Sequence, residues 1–173
     1  MNHFVIKPMQ SEDEIDGKAY VHFQACHEAY SDLMDPSYLQ ALTLEKCKNI
    51  TQRRTDNVLI AKDGEQVIGF AIYDACQDLP GYGELIALYV LEACYGKKVG
   101  YGLMHAALEQ LSGYDKIVIW VLKGNERAIR FYERFGCRFD GTEQAITLGT
   151  PNTKLRMIFD REVSHEHANP RLF

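Results

Sequence analysis

The sequence predicts an α/β domain, and three observations support that prediction. Glu84–Val90 and Lys116–Leu122 are apolar runs of strand length. A glycine-rich turn and an amphipathic stretch lie between them, so a helix joins the two strands. A helix between two buried strands implies a right-handed parallel crossover. Strand and helix patterns then alternate along the rest of the chain, with no internal repeat, linker or low-complexity segment.

The elements follow in order. His3 to Lys7 alternates and reads as a strand before Pro8. Ser11 with Glu14 forms a capping-box pattern, which starts a first helix running through Ala19, Phe23 and Cys26 towards Tyr30. Gly17 weakens that helix slightly. Pro36 opens a second helix with Leu39, Leu42 and Cys47 on one face. Asn57 to Lys62 reads as a strand, and Asp63-Gly64 is a hairpin signal. Gln66 to Cys76 is apolar on both faces, which places it centrally. After the loop Leu79–Gly83 comes the Glu84–Val90 strand, then a helix from about Val99 to Leu111. Lys116–Leu122 is nearly unbroken in its apolarity, the mark of a strand buried on both faces. A further helix runs from Asn125 to Gly136. A short strand, a turn near Gly141 and a strand around Leu155–Asp160 complete the sheet. The stretch from Ser164 is polar and reads as a loose tail, which puts the domain at residues 1–163 and the tail at 164–173.

The turn Lys97-Lys98-Val99-Gly100-Tyr101-Gly102 is the most informative segment. Backbone N–H groups at a helix N-terminus bind phosphate, and the helix dipole adds partial positive charge there. Glycines at 100 and 102 let the backbone approach a ligand, and Lys97 and Lys98 bring charge. No window has the G-x-x-x-x-G-K-[ST] pattern of a P-loop. A dinucleotide fingerprint is excluded because His105 stands where its third glycine belongs. The coenzyme A pyrophosphate pattern [QR]-x-x-G-x-[GA] reads Lys97-x-x-Gly100-x-Gly102, with Lys in place of Gln or Arg.

On these residues the chain resembles the GNAT superfamily of N-acetyltransferases. The strand end Leu88-Tyr89-Val90 followed by the glycine turn is similar to the superfamily's acetyl-CoA motif. A later N-x-x-A-x-x-F-Y-x-x-x-G run is present as Asn125, Ala128, Phe131, Tyr132 and Gly136. The likeness is sharp over roughly residues 82–140 and topological elsewhere. It implies a mixed, mostly antiparallel sheet of seven strands flanked by four helices, with the parallel crossover at the turn. It also implies acetyl-CoA as co-substrate, no metal, and an amine acceptor. The cofactor would be bound by Leu88, Tyr89, Val90, Lys97, Lys98, Val99, Gly100, Tyr101, Gly102, Asn125 and Tyr132.

Composition bounds the rest. The chain has 173 residues, 46% apolar and 25% charged, as expected of a soluble globular domain. A net charge of −5 argues against nucleic acid as a partner and favours a cationic acceptor. Five cysteines at 26, 47, 76, 94 and 137, with no C-x-x-C pair, fit reduced thiols in the cytoplasm. MNHFVIKPMQ lacks the form of a signal peptide, and no apolar run approaches a membrane span, so no membrane partner is expected. A homodimer is left open.

Acyl transfer from a thioester to an amine needs a group to protonate the departing thiolate and a sink for the amine's proton. In the resemblance Tyr132 is the general acid, since a phenol stays protonated at neutral pH. Its bland alternative is an ordinary helix aromatic beside Phe131. Asn125 reads equally as a helix N-cap and as a cofactor contact. Strand alternation puts Glu84, Ile86, Leu88 and Val90 on one face, which makes Glu84 a partly desolvated candidate base. The alternative is a solvated strand-end residue. A second superfamily arrangement would put a base Glu at position 120, which here is Trp120. His105 reads as surface, and His165-Glu166-His167 as tail rather than metal site. Cys94 has no partner spacing for a nucleophile. The function classes are then an active N-acetyltransferase, an idle CoA-binding module of the same fold and, more remotely, a nucleotide-binding protein. The acceptor is set by the region from about Tyr30 to Tyr38 and by loops near Pro80 and Thr150, which match no substrate-specific subgroup.

Overall fold

Seven strands form one sheet in the computed structural model, which describes residues 4–166. They are β1 (Phe4–Pro8), β2 (Val58–Asp63), β3 (Gln66–Ala75), β4 (Gly83–Val90), β5 (Lys116–Leu122), β6 (Arg138–Leu148) and β7 (Thr150–Asp160), in the order β1-β2-β3-β4-β5-β7-β6. Every neighbouring pair is antiparallel except β4–β5, the predicted crossover. The helices are α1 (Glu12–Tyr30), α2 (Pro36–Ala41), α3 (Leu44–Arg53), α4 (Val99–Gln110), α5 (Glu126–Arg134) and α6 (Arg161–Glu166).

The sheet carries a core on each face. One packs Val21 and Ala25 of α1 against Val58, Ile60, Phe70 and Ile72. The other packs Leu103, Met104 and Ala107 of α4 and Ile129 and Tyr132 of α5 against Leu59, Ala71, Ile117 and Ile119. Alternation along each strand divides its side chains between these faces. Helix α1 starts at the predicted capping box, with Ser11 accepting from the Glu14 amide. Its Gly17 has a packing reason: a Cβ there would come within 2.6 Å of Val67 Cγ2 on β3.

Three expectations are corrected. The helix from Pro36 to Cys47 is two helices. Thr43 adopts an extended backbone and its side chain accepts from the Lys46 amide, so it caps α3 and breaks the run after Ala41. The turn near Gly141 is a bulge inside β6, where the register shifts between Phe139 and Glu143. The chain reverses instead at Gly149, whose φ of 78° suits glycine, and Leu148 stands opposite Thr150. The polar stretch from Ser164 is helical to Glu166; residues 167–173 lie outside the described residues. Among the described residues no helix is long and apolar enough to cross a membrane.

Candidate active site

The site begins where two strands part. β4 and β5 pair only at Gly83–Ile117, Glu84–Val118 and Leu85–Ile119. Opposite this point β3 pairs Tyr73 with Leu85 and Ile72 with Ala87, which leaves Ile86 as one extra residue. Such a bulge bends and twists its strand. The half of β4 beyond Leu85 stays paired to β3 but no longer meets β5. Its polar backbone groups on the β5 side are left to hydrogen-bond whatever enters the gap. The gap is a cleft of about 480 Å³, within the range of small-molecule sites.

The bulge also overturns the expected facing of Glu84. Leu85 and Leu88 pack with the α4 core, whereas Ala87 and Tyr89 pack on the α1 side. Glu84 therefore shares the α1 face with Ala87 and Tyr89, not the face of Leu88 and Val90. It pairs with Asp74, is half-buried, and is not among the residues lining the cleft. Burial first, then the nearby Asp78 carboxylate, push its carboxyl above the usual range, and Lys154 partly offsets them.

The far end of the cleft is the turn into α4. A 3₁₀ turn, Glu92–Cys94, leads through Gly96 to Lys98, which has a left-handed φ of 64° and is the N-cap. The first helical amides are those of Val99, Gly100 and Tyr101, which have no carbonyl one turn back within the helix. The Gly102 amide already donates to the Lys98 carbonyl at 3.0 Å. The free amides at the helix start thus lie ahead of Gly102. The CoA pattern reads Tyr95-x-x-Lys98-x-Gly100 on the folded chain. Gly102 has a different constraint, since a Cβ there would meet Ile6 Cδ1 at 2.7 Å and Phe4 Cε2 at 3.4 Å. Its smallness lets α4 lie against β1. Lys98, Val99, Gly100 and Tyr101 line the cleft; Lys97 and Gly102 do not.

Helix α5 forms the third wall. Asn125 is its N-cap, with Oδ1 accepting from the Ala128 amide at 3.2 Å. Asn125 also lines the cleft, and its Nδ2 is a separate donor, so the cap does not consume the whole side chain. Tyr132 is 8% exposed and lines the cleft beside Phe131. Burial raises its phenol well above the ordinary value, with Tyr30 a further contributor, so it stays protonated at neutral pH. Leu88, Tyr89 and Val90 complete the wall from β4.

Further residues surround the cleft, and of these Tyr95 and Arg127 carried no signal in the sequence. Tyr30, at the end of α1, hydrogen-bonds hydroxyl to hydroxyl with Tyr89 at 3.1 Å. Tyr95 and Arg127 stack across the mouth. Trp120 lines the cleft, with Lys154 5.0 Å and Arg156 5.8 Å from its ring. Cys94 lies in the wall as well. His105 is exposed and bonds the Tyr101 hydroxyl at 2.9 Å. Among the described residues no group of His, Cys, Asp or Glu side chains is arranged to hold a metal. The side chains of His165, Glu166 and His167 lie outside the described residues.

A parted β4–β5 pair, a free helix N-terminus and a buried phenol meet on one cleft. The model of the acetyltransferase (GNAT) family matches residues 20–137, more than half of the chain. The chain belongs to the GNAT acetyltransferase family. As a member it is an acyltransferase. It is 29% identical over 128 residues to an uncharacterized N-acetyltransferase of Archaeoglobus fulgidus, covering 70% of this chain and 84% of that protein. It is 25% identical over 129 residues to a probable N-acetyltransferase of Mycobacterium tuberculosis, covering 71% and 74%. Among solved structures, the PaiA N-acetyltransferase of Thermoplasma acidophilum in complex with coenzyme A superposes with a TM-score of 0.71. That match has 19% identity and covers 91% of this chain and 98% of that one. YncA of Salmonella typhimurium, solved with acetyl-CoA, gives a TM-score of 0.68 at 16% identity, covering 98% and 99%. These structural likenesses establish the GNAT fold and its open, mixed sheet.

Proposed function

We propose that this GNAT member transfers an acetyl group from acetyl-CoA to a primary amine, on a small molecule or a peptide, by direct attack within the β4–β5 cleft. The observation that carries this reading is the convergence on one cleft of a β4 edge released from β5, the α4 N-terminus and the Tyr132 phenol. The residues fit the coenzyme. Val99, Gly100 and Tyr101 present amides suited to its diphosphate. The freed β4 edge from Ile86 to Val90 suits the amides of an extended pantetheine arm.

The step balances with few groups. The amine lone pair attacks the thioester carbon and a C–N bond forms. The tetrahedral intermediate collapses as the C–S bond breaks. Tyr132 donates its proton to the departing sulfur and recovers one from solvent. The amine's proton leaves through water, with Glu84 as its acceptor at the vertex of the parted strands. The raised affinity of Glu84 for protons suits that role, and its place outside the cleft lining makes a bridging water necessary. Residues 1–163 serve as one acetyltransferase domain in this reading. The five unpaired thiols fit a cytoplasmic setting.

A second reading, a CoA-binding module without turnover, has one observation in its favour: Glu84 does not line the cleft. Release of free CoA from acetyl-CoA across a panel of amines separates the two. Amine-dependent release supports the enzyme. Binding of acetyl-CoA without release from any amine supports the idle module.

A further inference from the structure

Arg127 stands with its guanidinium carbon 3.2 Å from the centroid of the Tyr95 ring. Tyr95 follows the 3₁₀ turn before α4, Arg127 lies in the first turn of α5, and both line the cleft. The pair therefore bridges the two helices whose N-termini face the opening. A guanidinium on an aromatic face spends its flat side on the ring and keeps its N–H fork free at the edge. Among the described residues no carboxylate lies within ion-pair distance of Arg127. The Glu28 carboxylate accepts from the Glu92 backbone amide at 2.9 Å. Burial raises the Tyr95 phenol, and the Glu28 and Glu92 carboxylates lie near enough to add to this, but neither pairs with Arg127. On the folded frame of the CoA pattern, Tyr95 occupies the position where Gln or Arg is expected. The turn thus lacks the carboxamide or guanidinium that the pattern calls for, and the Arg127 guanidinium stands directly over that place.

We propose that Arg127, held face-on by Tyr95, is a phosphate-binding side chain of this cleft. It supplies from α5 the donor fork that residue 95 does not carry. The proposal rests on the acetyl-CoA reading, and its ligand is a phosphate group of the coenzyme, in the diphosphate or on the ribose 3′ position. Bidentate guanidinium–phosphate pairing explains why a planar cation is pre-set here. Stacking limits the rotamer freedom that a lone surface Arg would lose on binding.

The test is calorimetric titration of the parent, Arg127→Gln and Arg130→Gln with CoA and with 3′-dephospho-CoA. Arg130 is exposed and outside the cleft lining, so its variant removes the same net charge without removing the clamp. Arg127→Gln is expected to weaken CoA roughly tenfold or more, with Arg130→Gln close to the parent. A loss seen with both ligands assigns the diphosphate, and a loss seen with CoA alone assigns the 3′-phosphate. Tyr95→Phe should keep the affinity, because the ring face remains, while Tyr95→Leu should lose part of it. Unchanged CoA affinity in Arg127→Gln, or an equal loss in Arg130→Gln, overturns the proposal and leaves the acetyl-CoA reading intact. A parent protein that binds neither ligand overturns both.

Discussion

Leu85 and Ile119 are the last residues at which β4 and β5 pair. One step beyond them the bulge at Ile86 turns β4 away. Everything assigned to the site lies on the open side of that pair, and Glu84 lies just behind it. The position of this one pair therefore separates the residues that line the cleft from Glu84, which in the proposed reading acts only through water.

Tyr132→Phe is expected to keep the fold and most of the coenzyme affinity, since only a hydroxyl is lost from a buried ring. The turnover rate should fall by roughly 100-fold to 10,000-fold, the usual contribution of an acid–base group. The check is kcat with a working amine, alongside calorimetry with CoA. A rate within about twofold of the parent removes Tyr132 from the mechanism.

The two glycines of the turn should separate cleanly. Gly100→Val places bulk at an amide that faces the cleft, and acetyl-CoA affinity should drop at least tenfold, about 1.4 kcal/mol. Gly102→Val drives a side chain into Ile6 and Phe4 and should cost stability, about 1–3 kcal/mol for overpacking. Thermal melts and titrations on both variants decide this. Equal affinity losses at equal melting temperatures would return Gly102 to the ligand site.

Glu84→Gln tests the raised carboxyl in two ways. A carboxyl whose folded pKa is raised binds its proton more tightly in the folded state, so its ionisation costs stability as pH rises from the unfolded value through the folded one. Glu84→Gln should therefore be at least as stable as the parent at pH 7, with any advantage absent near pH 4. In turnover, the variant should lose most near neutral pH and recover at high pH, where the amine is already uncharged. Parallel pH–rate profiles of equal height would make Glu84 a strand-end residue only.

Glu14 carries the opposite sign. Burial raises its pKa, but the Lys7 hydrogen bond and the Gln10 and Ser11 amides outweigh this and hold it at about 2. A lowered carboxyl contributes stability above its unfolded pKa and loses it as pH falls from about 4.5 to about 2. Glu14→Gln should cost roughly 1 kcal/mol at pH 7, in line with loss of a helix cap. Near pH 2 the two proteins should melt together, and a gap that persists there would contradict the charge's role.

Much of this was legible in the sequence because local patterns fixed it. Ser11 and Glu14 announce α1, the apolar runs announce β3 to β5, and Asn125 to Gly136 announces α5 and its phenol. What stayed hidden was set by neighbours. The facing of Glu84 depends on an extra residue in β4 that only the pairing with β3 reveals. The frame of the turn depends on Lys98 taking a left-handed conformation, where glycine was the residue to look for. Glycines at 100 and 102 drew the reading to a frame that ends at Gly102, whose amide is already bonded to the Lys98 carbonyl. Gly141 looked like a reversal, yet the long β6–β7 ladder carries it as a bulge. Tyr95 and Arg127 are more than thirty residues apart, and no spacing rule brings them together.

A crystal structure of the protein with CoA tests the central claim most directly. The pantetheine arm is expected hydrogen-bonded along β4 between Ile86 and Val90, the diphosphate on the amides of Val99, Gly100 and Tyr101, and the thiol within hydrogen-bond reach of the Tyr132 hydroxyl. CoA bound elsewhere, or a thiol remote from Tyr132, would contradict it.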